Sequence, residues 1–320
     1  MKKTTLIFSF LIVSLLSSPA GAFDGPLRVK NQFPLFLHTN APYLEKAAAE
    51  DSLTAGLSYS SVYLIRDSSA WSAHLDMEIA ELALILRKNV KDFVELGVEA
   101  QVLSFNSGFM DNFLNSYHSA FGFPDYGRHN RPENEFLYVV KKNGVTIIKG
   151  ENGRIGLGDL KFTIKKPLLS GDTAVSVKGS VELPTGDPKT GFGNGSVDAA
   201  LALLIDKSLT ERLMSHLNLG VVFPGDLKGH ARIDLRDFLY GGAAVEAALW
   251  KDISLLGQIF FQGSPFPETG IGSVDRTAAL LSLGGRYRSG RNSIEVSFTE
   301  DPNTAGAPDF SFNFSLTTKF

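Results

Sequence analysis

The sequence predicts an all-β protein: an antiparallel transmembrane β-barrel of about twelve strands, with a short helix in a long extracellular loop. Three observations lead to this prediction: an N-terminal export signal, alternation of apolar and polar residues, and connections that are alternately short and long. The 320 residues include no Cys, which excludes disulfides, thiolate metal sites and a lipid-modified cysteine. The 31 basic and 34 acidic residues nearly balance, so nothing indicates a nucleic-acid partner.

Residues 1–22 have the pattern of a signal peptide. Two lysines precede an apolar run, residues 6–16, which is too short to span a bilayer, and Ala20 and Ala22 supply the small residues of a cleavage site. No later stretch approaches the roughly 18 apolar residues of a membrane helix. We therefore expect export across the inner membrane and, if the strands close into a barrel, a location in the bacterial outer membrane.

Residues 23–50, which contain Pro26, Pro34 and Pro42, are expected to form an extended N-terminal segment on the periplasmic side. Three roles remain open for this segment: a plug that enters the lumen from below, a contact with a partner, or a plain linker. The outer-membrane barrel itself is expected to occupy residues 51–320.

Apolar and polar side chains alternate along several segments, which places them on opposite faces of a strand. Near the C-terminus, Phe310, Phe312 and Phe314 lie on one side of the chain and are separated by Ser and Asn. The terminal Phe320 resembles the assembly signal of outer-membrane barrels, so the barrel-assembly machinery is an expected partner, together with outer-membrane lipid. The 24 Phe also fit the aromatic girdles of such barrels.

Loop lengths favour a membrane barrel over a soluble β-sandwich, which also has alternating strands but no reason to place short and long connections at opposite ends. The predicted strands are residues 53–65, 70–87, 92–104, 155–167, 172–184, 196–207, 212–223, 237–250, 253–263, 275–288, 291–300 and 309–320. Residues 134–150 leave the count open, because this predicted hairpin could stand above the membrane or add two spanning strands, which would make fourteen.

A helical pattern interrupts the strands between Ser104 and Glu133. Phe109, Phe113, Tyr117 and Phe121 recur every four residues, which predicts a short helix of about three turns. Because this helix follows a strand and lies in a long connection, we place it at the extracellular end, where it would cap the barrel or fold into its mouth.

Several short motifs match the pattern of a known family. They are SGFMDNFLNSYHSAFGFPDYGR at residues 107–128, with matches at Gly108, Asp111, His118, Phe121, Gly122, Pro124, Gly127 and Arg128, and Leu75-Asp76 with Glu78, Gly156–Asp159, Leu183–Asp187 and Ala307–Asp309. On these residues the chain resembles the uncharacterised outer-membrane family catalogued as domain of unknown function thirty-one eighty-seven. The resemblance implies an outer-membrane barrel, and it implies no reaction and no substrate.

Charges of both signs on the polar faces indicate a lumen that passes or binds a small solute. The candidate ligand or lumen residues are Asp76, Glu78, Glu95, Glu99, Asp111, His118, Arg128, Asp159, Lys178 and Glu182. A porin-like barrel for a small solute is the first function hypothesis. The alternative is a structural or accessory barrel, in which opposite charges pair and plug a narrow lumen.

The predicted strand at 70–87 carries two of these candidates. Leu75 and Met77 alternate with His74, Asp76 and Glu78, so we expect the apolar side chains to face lipid and the polar ones to face the lumen.

An outer-membrane lipid hydrolase is a third and weaker hypothesis. None of the six His residues lies in a nucleophile motif, and the chain contains no GxSxG. We therefore expect no enzymatic activity, no catalytic residue, no cofactor and no metal ion.

Overall fold

Twelve long antiparallel strands form a closed barrel in the structure, a computed structural model that describes residues 23–91, 93–121 and 131–320. In chain order the elements are β1 (Ser52–Asp67), β2 (Trp71–Val90), β3 (Val94–Asn106), α1 (Asp111–Phe121), β4 (Leu137–Lys142), β5 (Val145–Lys149), β6 (Arg154–Leu157), β7 (Leu160–Leu169), β8 (Thr173–Leu183), β9 (Asp198–Thr210), β10 (Leu213–Phe223), β11 (Leu227–Lys228), β12 (Arg232–Ile233), β13 (Phe238–Ala248), β14 (Ile253–Gln262), α2 (Gly272–Asp275), β15 (Ala278–Ser289), β16 (Asn292–Glu300) and β17 (Phe310–Lys319). β4, β5, β6, β11, β12 and the two helices belong to loops, and the other strands form the barrel.

The ring closes at β1, which pairs with strands from both ends of the barrel. Ser52 lies opposite Lys319 on β17 and opposite Arg87 on β2. The remaining barrel strands are neighbours in chain order, with β3 paired directly to β7. The prediction of twelve strands is confirmed.

The two ends of the barrel differ in the length of their connections. Short turns join β2 to β3, β7 to β8, β9 to β10, β13 to β14 and β15 to β16, and we call this the turn end. Long loops lie at the opposite end, the loop end, where only the link between β1 and β2 is short. This segregation agrees with the loop lengths seen in the sequence.

The hairpin of β4 and β5 stands above the ring at the loop end. β4 pairs with Trp71–Asp76, the part of β2 that continues beyond its pairing with β3. β6 similarly pairs with the last part of β3, from Val102 to Phe105. Of the two arrangements that the sequence left open, the structure thus has the one that adds no spanning strand.

An apolar belt surrounds the outside of the barrel. Its exposed side chains include Leu82, Leu84, Leu86, Leu96, Val98, Phe162, Leu201, Leu217, Leu255, Leu283, Phe298, Phe314 and Leu316. Aromatic side chains mark its turn end, where Phe93, Trp250, Tyr287 and Phe320 are exposed. Across the part of the chain that the structure describes, no helix is long and apolar enough to cross a membrane.

The N-terminal segment lies inside the barrel. Every residue from Gly25 to Glu45 except Arg28 is buried. The segment starts at the turn end, where Asp24 contacts Lys319. It rises through the lumen to a turn over residues 34–40 and then descends to β1. We call residues 23–50 the plug, with a rising leg before the turn and a descending leg after it.

A hydrophobic core fills the lumen at the loop end. Phe33, Phe36 and Leu37 from the turn of the plug belong to one buried cluster with inward-facing side chains of β2 and β3. Loop residues complete this cluster, and the ring of Phe192 stacks on Phe105 with 4.8 Å between centroids. The lumen is therefore sealed by apolar packing near the loop end and has polar contacts below.

Candidate functional site in the barrel lumen

Glu99 on β3 joins both legs of the plug to the barrel wall. On the rising leg, Arg28 Nη2 and Lys30 Nζ lie 3.3 and 3.1 Å from Glu99 Oε1. On the descending leg, the Tyr43 hydroxyl donates to Glu99 Oε2 at 3.0 Å. Lys30 has a second carboxylate partner in Glu81, at 2.9 Å. These buried charges are paired, as burial of ions requires.

Glu45 and Glu95 form a second group of contacts lower in the lumen. Glu45, on the descending leg, is paired with Lys178 of β8 and with Arg87 of β2, whose Nη2 lies 3.0 Å away. Glu95 of β3 accepts from the Glu50 backbone N–H at 2.8 Å and from Lys165 at 3.0 Å. The contacts of Glu45 and Glu50 join the descending leg to the wall, and the pair of Lys165 with Glu95 lies within the wall itself.

Glu182 and Lys161 hold the plug just after its turn. The Asn40 backbone N–H donates to Glu182 Oε2 at 2.6 Å, and its side-chain amide donates to Ser180 Oγ at 3.0 Å. Lys161 donates to the Ala41 carbonyl at 2.9 Å and lies 3.9 Å from Glu182. Four candidate residues from the sequence analysis (Glu95, Glu99, Lys178 and Glu182) thus lie in the lumen and contact the plug.

A third group of charges holds the start of the plug at the turn end. Asp24 is paired with Lys319 and, at 2.6 Å, with Arg288. Burial alone would raise the pKa of Asp24, but Lys319 and the two nearby arginines outweigh it and lower the pKa to about 2. Arg286 completes the group by donating to the Pro26 carbonyl at 3.2 Å. The plug therefore has charged contacts along both legs, below its apolar turn.

Asp76 and Glu78 do not face the lumen, and this expectation from the sequence is wrong. Leu75 and Met77 belong to the core inside the barrel, so alternation places the two carboxylates on the outer wall. There Asp76 accepts from Arg131 Nε at 2.7 Å. Glu78 accepts from the backbone N–H groups of the two residues that precede α1. In this part of β2 the apolar side chains face the lumen and the carboxylates face outward. The reason is that the apolar turn of the plug fills the lumen at this height and a loop covers the outer surface.

Helix α1 lies on the outer wall, contrary to the expectation that it caps the barrel or fills its mouth. Met110 and Leu114 pack on Phe310 of β17. The rings of Phe113 and Phe310 are 5.6 Å apart, centroid to centroid, and make an edge contact. Asp111 Oδ2 accepts from the Asn134 backbone N–H at 2.6 Å, which fastens the following loop to the helix.

Three candidates remain, and the structure shows the contacts of one of them, Asp159. His118 belongs to α1, and Arg128 lies outside the described residues. Asp159 is buried between β6 and β7, where it accepts from the Gly186 and Asn194 N–H groups at 2.7 and 3.3 Å. Burial and the nearby Glu182 carboxylate raise the pKa of Asp159 to about 6. Asp159 therefore anchors the loop between β8 and β9.

Sequence reasoning missed the plug side of every lumen contact. Arg28, Lys30, Asn40 and Glu45 lie in a segment without strand alternation, so no local pattern marks them as inward. Their partners on the strands were easier to find, because a charge between two lipid-facing positions must point inward.

The spaces left between plug and wall are small. A cavity of about 60 Å³ lies between the two legs near the turn end, beside Arg28, Glu45 and Arg286. Another, of about 10 Å³, lies beside Asn40 and Lys178. A few water molecules fit the first cavity, since one water needs roughly 10–15 Å³ of space for its centre. Within the described ranges, no group of three or more Asp, Glu and His side chains could hold a metal ion.

Comparison with protein families shows which family the chain belongs to. The model of the family described as protein of unknown function (DUF3187) matches residues 4–320. The chain belongs to this family. Comparison with curated proteins finds no match. The resemblance drawn from the motifs at residues 107–128 and elsewhere is thus confirmed over nearly the whole chain.

Solved structures with a similar fold are outer-membrane barrels. The COG4313 outer membrane channel from Pseudomonas putida F1 has a TM-score of 0.56 at 14% identity, over 85% of this chain and 96% of that one. The NanC porin has a TM-score of 0.46 at 9% identity, over 84% of this chain and all of the other. At 14% identity, the similarity to the Pseudomonas putida channel establishes the fold alone, that of an outer-membrane channel barrel.

Proposed function

We propose that the protein is a channel for a small solute in the bacterial outer membrane, and that its own plug holds it closed. The observation that carries the proposal is the nature of the plug contacts. Below the turn, the plug is held by ion pairs and hydrogen bonds to a polar wall, so its removal would leave a charge-lined lumen suited to water and polar solutes.

The orientation follows from the two ends of the barrel. Short turns face the periplasm and long loops face outward in barrels of this type. The turn end is therefore periplasmic, and both legs of the plug begin there. The signal peptide over residues 1–22 and the recognition of the last strand by the barrel-assembly machinery are part of the same proposal.

Closure results from the plug rather than from the wall. The cavities of about 60 and 10 Å³ beside it have room for water molecules but for no larger solute. Because both legs reach the periplasmic end, the plug can withdraw in that direction without threading a free chain end through the barrel. Opening needs no break in the strand pairing.

The apolar turn of the plug sets the stability of the closed state. Phe33, Leu35, Phe36 and Leu37 are at most 4% exposed. Burial of each such side chain contributes about 1.5–3 kcal/mol, so about 6–12 kcal/mol opposes withdrawal. A solute or partner that opens the channel must bind the open state better than the closed state by a comparable amount.

The same apolar packing favours a second function, a structural or accessory barrel that stays plugged. Among the residues that the structure describes, thirty buried ones from plug, wall and loops form one cluster across the loop end. A core of this kind is typical of a permanent structure. The two functions differ in one property, namely whether the plug of the full chain ever leaves the lumen and lets the barrel conduct.

Planar-bilayer recordings of the full chain and of a variant without residues 24–45 together distinguish the two functions, and a full chain that never opens favours the accessory barrel. A channel held closed by its plug predicts rare openings for the full chain and continuous conductance for the deletion variant. Heat-modifiable migration in gels verifies that the deleted barrel is closed and folded. A folded deletion variant without conductance would leave only the accessory function. Glu78→Ala, a change on the outer wall, serves as the matched variant that keeps conductance unchanged.

A further inference from the structure

We infer that α1 and the preceding Phe109 are immersed in the outer leaflet, where their exposed rings contact lipid acyl chains. This inference rests on the location of the barrel in the outer membrane and is independent of conduction. The sequence analysis assigned this helix to the barrel mouth, so its lipid contact is a new property of the chain.

The first support is that α1 and the two residues before it bury some of their apolar side chains against the wall and leave others exposed. Met110 and Leu114 point to the wall and are almost fully buried against Phe310. Phe109 and Phe113 remain 71% and 50% exposed, although Phe109 stacks on Tyr59 and Phe113 touches Phe310. A helix that needed only to cover the wall would not place two further phenylalanines in water.

The second support is the height of the helix on the barrel. β17 has ten residues and begins at Phe310, the residue on which α1 packs. Ten residues that rise about 3.4 Å each, tilted by about 40°, span roughly 25 Å, which is the height of the apolar belt in such barrels. The exposed Phe320 follows β17 at the other edge. The helix therefore lies at the outer edge of the belt, the level of the lipid interface.

The third support is continuity with the belt. Phe298 of β16 is 51% exposed and its ring lies 6.0 Å from that of Phe310. The exposed rings of the α1 region thus extend the lipid-facing surface of β16 and β17. A second copy of the chain would have to displace lipid from the belt to reach them.

The fourth support is that the carboxylates and the backbone donors at the start of α1 are paired. Glu78 Oε1 accepts from the Phe109 and Met110 N–H groups, at 2.8 and 2.5 Å. α1 contains no Lys, Arg or Glu, and its one Asp, Asp111, is 6% exposed and bonded to Asn134. Backbone donors in lipid must be satisfied within the protein, and Glu78 does this for the two N–H groups that precede α1.

Depth-dependent quenching by lipid tests the inference. Phe113→Trp is made in a Trp250→Phe background, because Trp250 is exposed at the other edge of the belt and Trp71 is buried. Each protein is reconstituted into liposomes whose acyl chains carry bromine at carbons near the interface or near the midplane. The matched control is Asp234→Trp, a position in the loops with an 83% exposed side chain.

We expect bromine near the interface to quench the new indole at least twofold more than bromine near the midplane, and aqueous iodide to quench only the control. Quenching by iodide without quenching by bromolipid would overturn the inference. Quenching by neither would also overturn it, since it would mean that protein, such as a second copy, covers the helix. Phe109→Trp repeats the test if the first variant fails to fold. A barrel that never conducts leaves these outcomes unchanged.

Discussion

Glu99 is the residue through which the wall contacts both legs of the plug. Its two oxygens receive Arg28 and Lys30 from the rising leg and Tyr43 from the descending leg. Removal of one partner from a buried ion pair is costly because the other charge is left unpaired. The local sequence predicts the inward direction of Glu99 but not its partners, which lie 56 to 71 residues away on a segment without a period.

Glu99→Gln is expected to lower the free energy of unfolding by about 3 kcal/mol, since Arg28 loses its carboxylate partner and the buried Lys30 keeps only Glu81. Urea unfolding in detergent measures the change, and trypsin cleavage after Arg28 and Lys30 reports release of the plug. Glu135→Gln removes an exposed pair with Arg131 and serves as the control, with an expected change of about 0–1 kcal/mol. Equal effects of the two changes would contradict the assignment of Glu99.

Acid is expected to release the start of the plug through Asp24. The pKa of Asp24 falls from the ordinary 3.8 to about 2 when the plug is docked. The ionised carboxylate is thus favoured in the docked state, so its contribution is complete above about pH 4 and is lost as the pH falls toward 2. Pepsin digestion between pH 4 and 2 follows exposure of the rising leg.

Asp24→Asn should make pepsin cleavage already fast at pH 4 and remove the part of the pH dependence that belongs to this carboxyl. An unchanged pH profile in the variant would show that Asp24 does not anchor the plug.

At the scale of elements, β2 shows what periodicity can and cannot predict. Alternation correctly predicts a strand and which side chains share a face. It does not predict which face is inside, because that depends on what fills the lumen at each height. In the lower part of β2 the outward residues Leu82, Leu84 and Leu86 are apolar, whereas Leu75 and Met77 higher up point inward to the apolar turn of the plug.

Helix α1 illustrates a second limit of the sequence pattern. The spacing of Phe109, Phe113 and Tyr117 predicts a helix, and the helix is present over Asp111–Phe121. Its apolar residues occur on more than one side, so the pattern does not tell a lumen-facing helix from one between wall and lipid. In the structure, the location of α1 is set by Glu78, which accepts the hydrogen bonds that hold the helix start on the outer wall.

Glu78→Ala is expected to free the start of α1 while the barrel stays folded. Two backbone N–H groups would lose their acceptor, which costs about 1–3 kcal/mol each if they remain buried. Limited proteolysis between residues 107 and 135 should accelerate at least tenfold. Glu78→Gln keeps an acceptor oxygen and should stay near the wild-type rate. If Glu78→Ala accelerated cleavage only outside residues 107–135, the result would contradict this role of Glu78.

For the whole molecule, the barrel could be predicted from the sequence, whereas the path of the plug inside the barrel could not. Twelve strands follow from local alternation and loop length, which each segment carries by itself. The path of residues 23–50 depends on contacts with β2, β3, β8, β15 and β17 together, which only the closed ring brings within reach. The absence of Cys from the chain then becomes useful, because introduced cysteines have no competitors.

The most direct test of a channel closed by its plug is the conductance of one sample before and after reduction. Asn40→Cys combined with Ser180→Cys places two thiols where the plug touches β8, to be joined directly or by a short bis-thiosulfonate linker. We predict a silent barrel while the bond holds, and after dithiothreitol, openings whose conductance equals that of the variant without residues 24–45. Openings that persist at the same frequency in the fully joined sample would contradict the account, as would a reduced sample and a plug-deleted barrel that both stay silent.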